Sequence, residues 1–223
     1  MEHNNFSHKP TSQETLRQIR EKLPDFVSGR RLEHTYSVEK EALKLAGLLF
    51  PVLGIDEKYF SDVSAASLLH DITKHLSAKE QILLCGKYGI EHKENSENTA
   101  VIHSRTGAFE ARSYFGINDI VFSSVYCHTT GKENMNIFEK IIFIADYIEE
   151  TRTHTSCIKA REYFYSNAEK KLDLIKTLDM TIIMSLDSTL SYLESTGAEI
   201  DSETIKARNF LLAEYALQRS IQE

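Results

Sequence analysis

The chain has 223 residues, 41% of them hydrophobic and 26% charged, which suits one soluble domain with a substantial core and excludes wholesale disorder. A formal net charge of −7 does not draw in a phosphate backbone over long range, so duplex nucleic acid is not an expected partner. The 9 Gly and 3 Pro are too few for a turn-rich all-β protein, and no apolar run reaches the length of a membrane span.

Residues 1–11 are polar and carry no apolar signal-peptide segment. With the short helix predicted in TSQETLRQIREKL they form an N-terminal extension over 1–24, closed by a break at Pro24, ahead of a main domain over 25–223. RRLEHTYSVEKEALKLAGLLF predicts a helix ended by Pro51 and Gly54. On it His34, Val38, Ala42, Leu45 and Leu49 recur at three- and four-residue intervals and share the buried face. Ser61–His70 is a helix running into the adjacent pair His70-Asp71. Ser77 and Glu80 have the spacing of a capping box that opens AKEQILLCGKY.

NSENTAVIHSRTGAFEARSYFG is predicted helical with a break near His103, and NDIVFSSVYCHTTG as a helix that stops at Gly131. Asn136 and Glu139 occupy capping positions for NIFEKIIFIADYIEE. One medium helix and two long ones follow Arg152. Leu172, Ile175, Leu178, Ile182, Leu186 and Leu193 form an apolar stripe that can serve either the core or a homodimer. The last helix spans about 202–220. The pattern is one all-α bundle with its C-terminal helices packed on the outside. Cys85, Cys127 and Cys157 lack CxxC spacing and read as reduced thiols of a cytoplasmic protein.

Six residues stand at positions these helices turn inward: His34, His70, Asp71, His103, His128 and Asp146. His34 lies on the Val38–Leu45 stripe, and His128 follows Val121 and Val125 on one face. Asp146 sits four residues after Ile142, in a run where an unpaired carboxylate costs several kcal/mol. Imidazoles and carboxylates on core-facing positions need a common partner. A metal centre is the economical one, since Zn, Mn and Fe all take these ligands.

The order His34, His70-Asp71, His103, His128, Asp146 resembles the HD-domain metal-dependent phosphohydrolases, in the variant whose two further histidines hold a second metal. RRLEHTYSV, LLHDITK, IHSRTGA, HTTGKENMNIFEKIIFIADYIEETR and ARNFLL are similar to the YqeK family of symmetrical bis(5′-nucleosyl)-tetraphosphatases, over roughly residues 25–215. The resemblance implies a first metal on His34, His70, Asp71 and Asp146. It implies that Asp71 bridges to a second metal held by His103 and His128, and that both metals are divalent, iron first, with Mn or Zn as alternatives. The implied substrate is diadenosine tetraphosphate, a dinucleoside polyphosphate, cut to two ADP by a metal-activated hydroxide.

Around that centre, Lys74 of HDITK is placed as a catalytic and phosphate-contacting point charge or is simply a solvated surface lysine. Thr129 and Thr130, with Gly131, line the phosphate track or simply make a C-terminal turn. Arg152 meets the polyphosphate or pairs with Glu149 or Glu150. In ADYIEETR, Glu150 stands where the family suggests a Pro. Arg105 has no place in the family pattern. Glu149, Glu150, Asp119 and KENSEN read as solvated groups or caps, and His3, His8, His75, His92 and His154 as surface residues. Two rivals share these residues: an HD phosphohydrolase of another nucleotide or phosphoester, and a helical module that binds nucleotide without turnover.

Overall fold

The computed structural model describes residues 8–91 and 99–220, among which there is no strand. His3, His92 and KENSEN lie outside the described residues. The centre of the bundle is a short helix that has no water-facing side. Of the first three helices, α1 (Gln13–Phe26), α2 (Arg30–Leu53) and α3 (Phe60–Leu69), the third is buried at every position from Ser61 to Leu69. Apart from Asp62 its residues are apolar or small all round, so neighbours cover it on every face. Those neighbours are α1, α2, α5 (Thr99–Phe115), α6 (Asp119–Cys127) and α7 (Ile137–Ile148). Val38, Leu45 and Leu49 of α2 meet Phe138, Ile141 and Ile142 of α7 in the same core. Fully burying each of these side chains is worth about 2 kcal/mol.

Local signals place the helix ends. Ser12 Oγ accepts from the Thr15 N–H at the start of α1, and Ser77 with Glu80 closes a reciprocal capping box on α4 (Ala78–Tyr88). Asn136 and Glu139 do the same for α7. Neither Pro24 nor Pro51 ends its helix: each sits in the last turn, where a proline forfeits only its own N–H bond. α1 runs on to Phe26, closed by Val27 N–H to Leu23 O at 3.0 Å, and Gly54, at φ 66°, caps α2. The break expected near His103 is absent. α5 contains no proline, and the hydroxyls of Ser104 and Thr106 bond back to the carbonyls of Val101 and Ile102.

α6 stops at Cys127, short of Gly131, and His128 takes the position just past its end. The following turn closes through Gly131 N–H to Cys127 O at 2.8 Å. Gly131 has φ 67°, and a Cβ there would come within 3.0 Å of the Ala207 Cβ, so glycine serves both the turn and the approach of the last helix. α8 (Thr155–Glu169) and α9 (Leu174–Thr196) pack on α7, and α10 (Ser202–Ser220) lies outside α9. Leu178, Ile182 and Leu186 of α9 are in the core, whereas Leu172 precedes the helix and is exposed.

The N-terminal segment is tied down by Asp62, buried in the first turn of α3. Its carboxylate accepts from His8 Nε2 at 2.8 Å, Thr11 N–H at 2.8 Å, Thr11 Oγ1 at 2.7 Å and Asn118 Nδ2 at 2.8 Å. His8, expected on the surface, is therefore part-buried. Leu16, Ile19 and Leu23 of α1 join the main core. The three cysteines are free and buried. No helix among the described residues is long and apolar enough to cross a membrane.

Candidate metal centre

Two histidines are delivered by one local device. His70 and His128 each stand just past a helix end, and each ring turns back so that Nδ1 donates to the carbonyl three residues earlier, Ser67 O at 2.7 Å and Val125 O at 2.8 Å. Because a carbonyl only accepts, Nδ1 carries the proton in both, and Nε2 is the bare nitrogen facing inward. His34 on α2 is held differently, with Nδ1 3.1 Å from Glu149 Oε1. Asp71 follows His70 in the turn after α3, His103 projects from α5, and Asp146 from α7.

These donors converge. Asp71 Oδ1 lies 3.1 Å from His103 Nε2 and 3.5 Å from His128 Nε2, and those two nitrogens are 3.2 Å apart. His34 Nε2 is 3.0 Å from Asp146 Oδ1, and His70 Nε2 is 3.6 Å from Asp71 Oδ2 and 4.0 Å from Asp146 Oδ1. Three overlapping triads have ligand atoms within 4.8 Å of one another: His34, His70 and Asp71; His70, His128 and Asp146; and Asp71, His103 and His128. The set is continuous, with Asp71, His70 and His128 shared between triads.

The chemistry of the donors fits divalent transition metals. His70 Nε2 is buried with no hydrogen-bond partner, which costs free energy unless something else coordinates it, and the buried His34 Nε2 faces only the Asp146 carboxylate. Burial pushes His70 down to about 4 and lowers His103, keeping both neutral as metal ligation requires. Burial also lowers His34, but the neighbouring carboxylates of Asp146 and Glu149 outweigh it and raise the ring to about 9. Burial pushes the Asp71 carboxyl up; His70, His103, His128 and Lys74 outweigh it and hold the group well below the usual carboxylate range. Asp146 is held low in the same way by His34 and Arg152 against its burial.

The remaining expected residues divide. Lys74 Nζ lies 3.0 Å from Asp71 Oδ2, and Thr129 Oγ1 is 3.2 Å from His128 Nε2 and 3.4 Å from His103 Nε2. Arg152 reaches Asp146 twice, through Nη2 to Oδ1 and through Nε to the backbone carbonyl at 2.9 Å. Thr130 is not brought in: its hydroxyl donates to Gly131 O, and the residue lines a cleft shared with Arg105 and Phe109. Arg105 pairs with Asp201 at 2.7 Å, joining α5 to the start of α10. Glu150 is exposed and pairs with Lys40 at 2.8 Å, away from the centre, and His75 and His154 are exposed.

Two residues were missed by sequence reasoning. Glu149 is not a solvated group or cap: its side chain is fully buried, and besides His34 it accepts from Thr151 N–H at 2.6 Å and Thr151 Oγ1 at 2.7 Å. Its spacing of three from Asp146 was the available signal. Arg31, in the first turn of α2, places Nη1 3.4 Å from Asp71 Oδ2. Close packing holds α5 against the turn that carries the His-Asp pair. A Cβ on Gly107 would lie 3.3 Å from Thr73 Oγ1 and 3.7 Å from His70 O, and Thr73 Oγ1 itself donates to His103 O at 2.8 Å.

The HD domain family matches residues 31–151, which contain all six donors. The symmetrical bis(5′-nucleosyl)-tetraphosphatase of Halalkalibacterium halodurans is 31% identical over 189 residues, covering 84% of this chain and 92% of that protein. Its namesake in Staphylococcus aureus is 29% identical over 195 residues, 87% of this chain and 91% of the relative. Among solved structures, a predicted HD superfamily hydrolase involved in NAD metabolism, from Clostridium acetobutylicum, superposes with a TM-score of 0.76 at 28% identity. It covers 92% of this chain and 100% of that one. The chain belongs to the HD-domain family of metal-dependent hydrolases and, within it, to the family of the symmetrical bis(5′-nucleosyl)-tetraphosphatases.

Proposed function

We propose that this protein hydrolyses dinucleoside tetraphosphates, diadenosine tetraphosphate foremost, symmetrically to two nucleoside diphosphates. The metals are two divalent ions, iron in the first instance. His34, His70, Asp71 and Asp146 would hold one, and His103 and His128, with Asp71 between the two, the other. The observation that carries this reading is the convergence of four imidazoles and two carboxylates, with His70 Nε2 buried and without a hydrogen-bond partner, in a chain whose relatives bear that activity in their names.

Bound divalent metals supply Lewis-acid stabilisation of phosphoryl oxygens and acidify water at neutral pH. The chain supplies the rest. The back-bonded rings of His70 and His128 fix their tautomers, so Nε2 is available without reorganisation. Lys74 and Arg152, each about one-third exposed at 34% and 35%, stand over Asp71 and Asp146 and can turn to the polyphosphate as charge develops. Thr129 offers a hydroxyl at the His103–His128 side. The near-complete burial of His70, Asp71, His103 and His128 limits water to the side where His34, Asp146 and the cations are partly open.

The test is product analysis. Metal-loaded protein with diadenosine tetraphosphate should release ADP alone, with close to two transition metals per chain by elemental analysis. AMP plus ATP would overturn symmetric cleavage. Metal-loaded protein that binds the nucleotide without turnover would make it a binding module.

A further inference from the structure

Asp71 is approached by more donors than one carboxylate serves. Its Oδ1 faces His103 and His128, Lys74 Nζ straddles both oxygens at 3.1 Å from Oδ1 and 3.0 Å from Oδ2, and Oδ2 also faces Arg31 at 3.4 Å and His70 at 3.6 Å. A carboxylate has about four acceptor sites, and metals at this centre would claim some of them. Of the two cations on Oδ2, Arg31 has the longer contact, beyond good hydrogen-bond length. Its side chain is 35% exposed.

Arg31 is also poorly placed for its own helix. It occupies the first turn of α2, behind Gly29, which offers no side-chain cap, with Arg30 beside it. A helix N-terminus carries partial positive charge, so a guanidinium there is disfavoured and an anion favoured. A cation held against the dipole, on an over-subscribed carboxylate, at the open side of a centre, has the properties of a group awaiting an external anion.

We propose that Arg31 is a substrate-binding residue whose guanidinium fork takes phosphoryl oxygens of the polyphosphate on the Asp71 side, as Arg152 is placed to do on the Asp146 side. The ligand class is a nucleoside polyphosphate, and the inference rests on the tetraphosphatase reading given above. A cut into two identical products needs both halves of the chain held. Two arginines over different carboxylates, with Lys74 beside one of them, provide a planar donor for each half.

Arg31→Ala and Arg31→Lys in the full-length, metal-loaded protein test this, through melting temperature, metal content, kcat and KM on diadenosine tetraphosphate, and ADP affinity by calorimetry. For Arg31→Ala, metal content should hold while KM and the ADP dissociation constant rise about ten- to hundredfold, the loss of one charge-assisted bond. Arg31→Lys, which keeps the charge without the fork, should fall between. Loss of metal with unchanged KM and ADP affinity in the loaded fraction would show a mere counter-ion of Asp71 and overturn the proposal, as would no change in any measure. If Arg31→Ala melts early, Arg31→Gln takes its place with the same expectations. ADP binding that weakens in the variant while wild type leaves the tetraphosphate uncut would keep the phosphate role and sink the tetraphosphatase reading alone.

Discussion

Glu149→Gln isolates the contribution of a buried charge that contacts no substrate in the proposed site. The carboxylate accepts on both oxygens, from His34 Nδ1 and Thr151 Oγ1 on Oε1 and from Thr151 N–H on Oε2. Glutamine keeps the volume but has one oxygen and one NH₂, so either way round its amide meets a donor. One buried bond is lost outright, at about 1–3 kcal/mol, and the bond to His34 weakens from charge-assisted to neutral, about 1 kcal/mol more. The sum, about 2–4 kcal/mol, lowers the melting temperature of a chain this size by roughly 5–15 °C. His34 loses the group that orients its ring, so metal affinity should fall about ten- to hundredfold. Thermal melts of the metal-free protein and competitive metal titration read the two effects separately. A weakened fold with unchanged metal affinity would show that Glu149 merely shapes the Thr151 turn, and an unchanged melting point would refute the hydrogen-bond accounting itself.

His103→Ala removes one donor from the Asp71–His103–His128 triad. Elemental analysis should show one metal fewer, and activity should drop more than about a hundredfold with helical content by circular dichroism unchanged. Chelation should abolish activity and lower the melting temperature, by about 4 kcal/mol of stability where metal had stood a thousandfold above its dissociation constant. Asp62→Ala strips the acceptor from His8, Thr11 and Asn118 and should cost about 3–5 kcal/mol in denaturant unfolding, while metal content of the folded protein stays at wild-type level. In acid, burial works to raise Glu149, but hydrogen bonds from His34 and Thr151 outweigh it and depress the group from 4.5 to about 2. A depressed carboxylate gives stability above its unfolded value and loses it below. The metal-free protein should therefore shed about 3 kcal/mol between pH 5 and 2, and Glu149→Gln should flatten that slope.

Much of this architecture is written in short-range signals. The Ser77–Glu80 and Asn136–Glu139 boxes and the His34–Leu49 stripe involve residues within a few turns of each other, and all were legible. That the six residues meet was legible because each is a polar group where its helix turns inward, and the order in which they occur supplied the family. What could not be read depends on distant neighbours. Glu149 and Glu150 are adjacent and alike, yet one meets His34, 115 residues away, and the other meets Lys40 in solvent. Arg31 carries no signal of its own in the sequence, because the group it meets, Asp71, lies 40 residues away. Pro24 looked like a stop because sequence shows the missing donor, but not that the loss falls in a final turn.

Gly107 acts as the gauge of the centre. With a hydrogen in place of a methyl, α5 rests on the backbone behind His70 and Thr73, and His103, one turn away, inherits that separation. His34 on α2 and Asp146 on α7 take no part in it, whereas His70 lies at the contact itself. A single added carbon there would therefore move His103 against the His70-Asp71 turn while His34 and Asp146 keep their own spacing. The spacing between His103 and the His-Asp pair is then an evolvable dimension, adjustable without changing either side chain.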